Sequence, residues 1–283
     1  MDDFEQHRAH LRGVAYRMLG SFAEADDAVQ EAWLRYDRAG TEDVRNLRGW
    51  LTTVVSRICL DMLRARSTRR EDPLEVHLPD PIVTIPGADP EQEAVLADSV
   101  GLAMLVVLDT LSPAERLAFV LHDVFGVPFE QIAQVLDRSP GAAKQLASRA
   151  RSRVRATPVS SDTTPVRQRE ILNAFRAASR EGDFDGLLAV LHPDVLLRAD
   201  AGSSPIGPSQ LLRGAAQIAG QAMRFAPLAR DARDVLVNGW PGVAAYVDGR
   251  MVSLLSVIVV DDRIVELNIL ADPERLARLE LDL

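Results

Sequence analysis

Proline sets the first limit on this chain. Pro73, Pro79, Pro81, Pro86 and Pro90 crowd the segment 72–90. Each lacks the amide that a helix interior or a central strand must donate. The segment therefore reads as an extended linker with little secondary structure. A second break, Thr157 to Pro165, is rich in Pro, Ser and Thr and marks another boundary. On either side of the first break, residues 4–66 and 91–155 carry apolar residues at helical spacing, with Gly20 and Gly40 at turns. Beyond the second break the pattern changes. A helix runs from about Val166 to Glu181, followed by strand-like runs at Val195–Ala199, Val243–Val247, Met251–Val260 and Ile264–Leu270, with Asp261-Asp262 as a turn. The expectation is a multi-domain chain: an all-α domain (1–71), the linker (72–90), a second all-α domain (91–156) and a C-terminal α+β domain (166–283).

A chain of 283 residues, 47% hydrophobic and 26% charged, suits such a globular arrangement. The N-terminus is acidic, unlike a signal peptide, and the longest apolar run, Met251 to Val260, is too short for a membrane helix. Cys59 is the only cysteine, which excludes an internal disulfide or a cysteine-based zinc site. We expect a soluble cytoplasmic protein with no metal, no cofactor and no membrane partner. The net charge of −9 conceals strong segregation. From Arg45 to Arg70 there are seven arginines and one acid; from Arg138 to Arg155 there are six basic residues and no acid. Between them, Glu71 to Asp98 holds eight acids and no Lys or Arg. Polyanions respond to local charge, so two basic segments split by an acidic linker fit a protein that grips DNA at two points. Solvated helix faces are the competing reading.

Ser112-Pro113-Ala114-Glu115 has the form of a capping box with proline in the first turn. A helix to Val124, a turn at Gly126, a short helix Phe129–Leu136, a turn Asp137-Arg138-Ser139-Pro140 and a third helix Gly141–Val154 follow, which is helix-turn-helix punctuation. On the last helix Ala143, Leu146, Ala147, Ala150 and Val154 share one face. Gly141, Gln145, Ser148 and Ser152 lie opposite, flanked by Lys144, Arg149 and Arg151. A small hydrogen-bonding stripe edged by cations can enter a major groove.

In the first block, helix Glu24–Tyr36 clusters Ala25, Ala28, Val29, Ala32 and Tyr36 on one face and Asp27, Gln30, Glu31 and Leu34 on the other, an apolar anchor among acids; a singly exposed Leu on a solvated face is the other reading. Helix Trp50–Arg66 has Leu51, Val54, Val55, Ile58 and Met62 as its core stripe, with Thr53, Ser56, Arg57, Leu60 and Arg64 facing away. Arg66, Arg69 and Arg70 close it, and Arg45, Asn46, Arg48 and Trp50 precede it. A loop with an aromatic ring and several donors can hold an unstacked base; core packing at a helix start is the other reading of Trp50. Cys59 reads as a small core hydrophobe.

Together these motifs resemble the RNA polymerase sigma factors. Ala25–Leu34 is similar to the conserved-region-2 helix that docks on the β′ coiled coil of the polymerase. Trp50 to Asp61 and the surrounding Arg45, Asn46, Arg48, Ser56, Arg57, Arg64, Arg66, Arg69 and Arg70 resemble the part that melts and reads the −10 element. Ser112 to Arg155 resembles region 4, which reads the −35 element and meets the β flap; the resemblance assigns Arg138, Ser139, Gly141, Lys144, Gln145, Ser148, Arg149 and Arg151 to DNA. Leu146, Ala147 and Ser148 stand where relatives often carry basic or aromatic residues. The order of regions resembles the extracytoplasmic-function group. Ile171–Phe175, Gly182–Leu188 and Leu191–Val195 resemble the opening of SnoaL-like domains, cones with a pocket between a curved sheet and helices. The subgroup with such a domain has a Leu-Pro-acid-Pro motif in the linker, here Leu78-Pro79-Asp80-Pro81, and an Asp-Pro motif near the end, here Asp272-Pro273-Glu274-Arg275. Its glycine-rich loop is reduced here to Asp200-Ala201-Gly202-Ser203-Ser204. The resemblance implies a transcription initiation factor with core polymerase and promoter DNA as partners and a built-in regulatory domain. That domain is expected to dock through the linker motif and an amphipathic tail carrying Leu276, Leu279 and Leu283.

Two other functions compete. Some SnoaL-like domains resemble polyketide cyclases, for which Asp200 and His192 would be the candidate acid–base pair; His192-Pro193-Asp194 also suits a helix-to-strand turn. A one-component regulator, acting without polymerase through the helix-turn-helix and a small-molecule pocket of unknown ligand, leaves the Asp27/Leu34 face without a task.

Overall fold

The computed structural model describes residues 2–39, 44, 46–69, 76–86, 101–156 and 162–279, with backbone alone at 2, 67–69 and 103. The chain forms two compact units: Met1–Asp72 with Leu105–Thr157, and Pro73–Met104 with Pro158–Leu283. The linker thus belongs to the C-terminal unit, and the first unit resumes at Leu105, whereas the sequence starts its second helical domain at residue 91.

In the first unit, α1 (Asp2–Leu19), α2 (Phe22–Ala39) and α3 (Leu47–Arg69) pack on one another. Gly20 takes a left-handed φ of 72° at the α1–α2 corner, a conformation cheap for glycine. Phe4, Leu11, Met18, Leu19, Leu51 and Leu60 are fully buried between them. Helix α4 (Leu102–Asp109) leads to α5 (Pro113–Phe119), which continues as a π-helical turn, Val120–Val124. Ser112 and Glu115 form the capping box: Ser112 Oγ accepts the Glu115 amide at 3.4 Å and Glu115 Oε2 accepts the Ser112 amide at 3.2 Å. Helices α6 (Phe129–Leu136) and α7 (Pro140–Ala156) complete the helix-turn-helix. Asp137 makes the turn at φ 54°, and Ser139 Oγ accepts the Ala142 amide at 3.2 Å. Helix α3 packs on α5 and α6. Burial pushes the Cys59 thiol up to about 12, so it is a packed, unreactive hydrophobe.

The C-terminal unit is a seven-stranded sheet with helices on one face. Its strands are β1 (Val83–Thr84), β2 (Leu191–Asp200), β3 (Gln210–Arg213), β4 (Asp231–Val237), β5 (Trp240–Val247), β6 (Arg250–Val260) and β7 (Arg263–Leu270), in the order β1-β4-β5-β6-β7-β2-β3. Among the described residues only the β2–β7 pair is parallel. Tight hairpins drive the meander: Asn238-Gly239, Asp248-Gly249 and Asp261-Asp262 all sit at positive φ, as turns that match strand twist require. Helices α8 (Pro165–Glu181), α9 (Phe184–Val190) and α10 (Ala215–Phe225) cover the face carrying Val195, Leu197, Val243, Val257 and Leu267. A last short helix, α11 (Pro273–Leu276), is capped by Asp272.

The extended linker contributes one short element: residues 83–84 add a strand to the β4 edge. The sequence reading omitted β3 and β4. The helical spacing of the tail is realised only as far as Leu276, where α11 ends; Leu283 lies outside the described residues, as do Gly40 and all of 87–100.

Candidate nucleic-acid interface and linker anchor

On α2, Ala25, Ala28, Val29 and Ala32 are buried, which turns Asp27 and Gln30 to solvent and leaves Glu31 and Leu34 half-buried beside them. Arg35 Nε holds Glu31 at 3.0 Å. The face has the form of an apolar centre within negative charge.

The −10 candidates divide. Arg48, Arg57 and Arg64 are exposed and Trp50 is half-buried. Asn46 is exposed, but its Oδ1 accepts the Gly49 amide at 2.9 Å and caps α3. Ser56 is a correction: it is fully buried, as is Leu60 at 2% exposure, on a helix that packs on α1 and α2 as well as on α5 and α6. Arg66 is a second correction. Its guanidinium donates to the Leu19 carbonyl at 3.1 Å and pairs with Glu24, so it joins α3 to the α1–α2 corner. Arg57 Nη2 donates to the Gln134 carbonyl of α6 at 2.9 Å. Arg45, Arg70 and the Arg69 side chain lie outside the described residues.

On α7, Ala143, Leu146, Ala147, Ala150 and Val154 are buried. Arg138, Ser139, Gly141, Lys144, Gln145, Ser148 and Arg149 are exposed. Two of the cations are held by acids. Arg149 Nε meets Glu115 at 3.1 Å and Arg151 Nε meets Asp123 at 2.6 Å. Burial pushes the Glu115 carboxyl up, but the Ser112 hydroxyl and amide and the charges of Arg153 and Arg149 outweigh it, and the net is below the usual carboxylate range. Glu115 thus caps α5 and ties α7 to it, a role the capping-box pattern alone did not reveal.

The linker motif and the C-terminal motif come together within the second unit. Arg275 donates from Nη2 to the Leu78 carbonyl (2.6 Å) and to Asp80 Oδ1 (2.7 Å), and from Nη1 to Asp200 Oδ2 (2.7 Å). Asp200 Oδ2 also accepts the Leu78 amide at 2.9 Å and lies 3.2 Å from His77 Nδ1. Burial raises the Asp200 carboxyl, yet His77, the Leu78 amide and Arg275 together hold it below its ordinary value. Leu78 is 1% exposed, and with Pro79 and Pro81 it covers Leu254 and Leu270 on the sheet face away from the helices. Further on, the Ile82 amide donates to Asn238 Oδ1 (3.1 Å) and the Asn238 amide to the Ile82 carbonyl (2.7 Å). Asp272 Oδ1 accepts the Glu274 and Arg275 amides. Gly202, at φ 49°, lies so close to the Asp272 carboxylate that a Cβ there would collide with it. Sequence reasoning named the two motifs and Asp200 separately; His77 and Asn238 went unnoticed.

Between the helices and the sheet lies a cavity of about 190 Å³, lined mainly by apolar residues. None of its lining residues is Asp, Glu or His. The candidate acid–base pair is thereby corrected: Asp200 points to the opposite face and is spent on the linker, while His192 Nδ1 accepts the Asp194 amide at 3.1 Å in a local turn. Among the described residues no group of His, Cys, Asp and Glu is placed to hold a metal ion, and no helix is long and apolar enough to cross a membrane.

Comparison with known proteins bears on the same segments. Residues 4–69 match the family Sigma-70 region 2 and residues 102–154 the family Sigma-70, region 4. The chain is 39% identical to the ECF RNA polymerase sigma factor SigJ of Mycobacterium tuberculosis, over 97% of this chain and 92% of that protein. It is 35% identical to the probable ECF RNA polymerase sigma factor SigI of the same species, over 98% and 94%. The crystal structure of SigJ superposes with a TM-score of 0.76 at 36% identity, covering 99% of each chain.

Proposed function

Because the chain belongs to the extracytoplasmic-function RNA polymerase sigma factors, we propose that its C-terminal SnoaL-like domain sets promoter-dependent transcription by holding the linker between the two promoter-reading domains. Core RNA polymerase and promoter DNA are the family's partners. The boundaries 1–71, 91–156 and 166–283 serve as the working division, in a protein acting in the cytoplasm. Asp27, Gln30, Glu31 and Leu34 form the patch for the β′ coiled coil, and region 4 meets the β flap. Arg48, Trp50, Arg57 and Arg64 are the −10 contacts, with Arg45, Arg69 and Arg70 beside them. Arg138, Ser139, Gly141, Lys144, Gln145 and Ser148 take the −35 element, with Arg149 and Arg151 on phosphates once their acids release them.

The observation that carries the regulatory reading is Arg275, which ties the linker at both Leu78 and Asp80 to Asp200. A passive tether needs no such buried fork. Helix α3 packs on α5 and α6, and Arg57 is bonded to the Gln134 carbonyl, which supports a state in which part of the −10 surface is engaged within the protein. Holding or releasing the linker then biases a two-state element. Transcription in vitro with core polymerase tests this. A cut after Asp262 would remove β7, which lies between β6 and β2 and supports the whole sheet. The informative cuts are after Arg155, removing the domain, and after Leu270, removing α11 and Arg275 alone. At least one should depart clearly from full-length activity, and the two should differ. Full-length activity from both folded truncations would make the domain a passenger. Core-polymerase capture separates this reading from a one-component regulator, which would not be retained.

A further inference from the structure

The cavity of the C-terminal unit has no assigned role. Its walls are Leu197 and Ala199 on β2, Val243 and Ala245 on β5, Leu255 on β6 and Ile269 on β7, closed by α8 and α10. At about 190 Å³ it is smaller than the roughly 300–1,000 Å³ of drug-sized sites. It is larger than the roughly 150 Å³ apolar void that stays dry and takes up benzene. Several of the polar groups on its lining are engaged. Ser179 Oγ donates to the Phe175 carbonyl at 2.8 Å, Arg176 pairs with Asp234 at 2.7 Å, and Arg180 Nε donates to the Arg176 carbonyl at 3.3 Å. A cation would meet no carboxylate on the lining, and a charged ligand of either sign would lose hydration against walls that are mainly apolar. The size and lining together select an uncharged, apolar molecule of one or two rings.

The same strand carries the linker anchor on its other side. Side chains alternate along a strand, so Leu197 and Ala199 face the cavity while Asp200 faces the linker, with Ala201 again at the cavity. Ala271 lines the cavity too, and its neighbour Asp272 caps the helix that presents Arg275. Asp200 thus grips Leu78 from the other side of the strand whose Leu197 and Ala199 line the cavity. We propose that this cavity binds a neutral apolar small molecule, and that its occupancy is linked through β2 and the Ala271-Asp272 corner to the strength of the linker anchor. Linkage is reciprocal: whatever ligand binding does to the anchor, loss of the anchor does to ligand affinity.

The probe is 1-aminonaphthalene, a two-ring amine that is neutral at neutral pH and whose emission moves to the blue in an apolar site. It is titrated into the full-length chain, so the result does not depend on transcription or on the regulatory reading. We expect saturable binding at a single site. Ala199→Phe and Ala245→Leu fill the cavity from different strands. Each variant that keeps the wild-type circular dichroism spectrum should weaken binding roughly tenfold or more. Should neither fold as the wild type, the milder Ala245→Val takes their place. Arg275→Ala, remote from the cavity walls, should change the dissociation constant by roughly fivefold or more. Absence of saturable binding by the folded wild type, or undiminished binding by a folded filling variant, overturns the site. Identical affinity in Arg275→Ala overturns the linkage.

Discussion

Replacing Arg275 by alanine removes the fork that holds the linker. The side chain is 14% exposed and its carboxylate partners, Asp80 and Asp200, are 22% and 11% exposed. Hydrogen bonds to charged groups are worth about 1.5–3 kcal/mol each, and breaking a fully buried pair costs about 3–5 kcal/mol. Asp80 can regain water once freed, so the lower end applies: about 3 kcal/mol lost from linker docking, or roughly a hundredfold in its equilibrium, since about 1.4 kcal/mol is tenfold. Native-state hydrogen exchange reads this directly at the Leu78 amide, which donates to Asp200, and at the Ile82 amide, which donates to Asn238. Both should exchange faster in Arg275→Ala, while amides of the β5–β6 pair keep their protection. Arg275→Lys should recover only part of the loss, because an ammonium cannot span Asp80, the Leu78 carbonyl and Asp200 as a planar fork does. Unchanged exchange at both linker amides in a folded Arg275→Ala protein would refute the view that this residue anchors the linker.

Three further outcomes are expected. Asp27→Arg combined with Leu34→Ala should weaken core-polymerase binding by about 2–4 kcal/mol if the pair forms the centre of that interface, measured by titration with labelled core enzyme; wild-type affinity in the folded double variant would discard the assignment. Replacing Gln145 should alter preference at one −35 base pair by about 1–3 kcal/mol in a randomised promoter library. Replacing Arg151 should instead weaken all sites alike and flatten the salt dependence, and matching library profiles for the two would contradict the division of roles. Burial, assisted by the charges of Arg48, His7 and Arg17, lowers the His10 pKa from 6.5 to about 4 where its ring meets Thr52 and Phe125. A depressed histidine favours the folded state while neutral, so its contribution is present above pH 6.5 and is lost as pH falls from there toward 4. Thermal unfolding at pH 7 and pH 5 should show this loss, and His10→Gln should reduce it; an equal loss in the variant would remove His10 as its source.

Much of the helical half was legible because its signals are local. The Ser112–Glu115 capping box, the Asp137 turn and the apolar stripe of α7 each follow from residues a few positions apart. Ser56 and Leu60 were misread because a helical wheel shows only that they oppose the Leu51/Val55 stripe; it cannot show that α3 is packed by helices on more than one side. Arg66 failed likewise, since its acid, Glu24, is remote in sequence. In the second unit, β4 carries charges at Arg233 and Asp234 that hid its period. Yet Asn238-Gly239 and Asp248-Gly249 are strong hairpin signals that would have paired it with β5. The linker strand was invisible for a different reason: Pro81 and Pro86 bracket it, and its partner edge lies far along the chain.

That two-residue strand also has a bearing on solubility. Leu236 and Val237 are the apolar end of an outer edge whose remainder is guarded by Asp231, Arg233 and Asp234. Val83 and Thr84 occupy the ladder positions there. Lifting the linker bares unsatisfied backbone groups beside a valine that is otherwise 2% exposed, a template for pairing with another chain. The freed form therefore carries a self-association hazard that the held form does not. If the linker is released as proposed, release is safest when brief or when polymerase has already engaged the molecule, and the clasp would guard the sheet against aggregation until then.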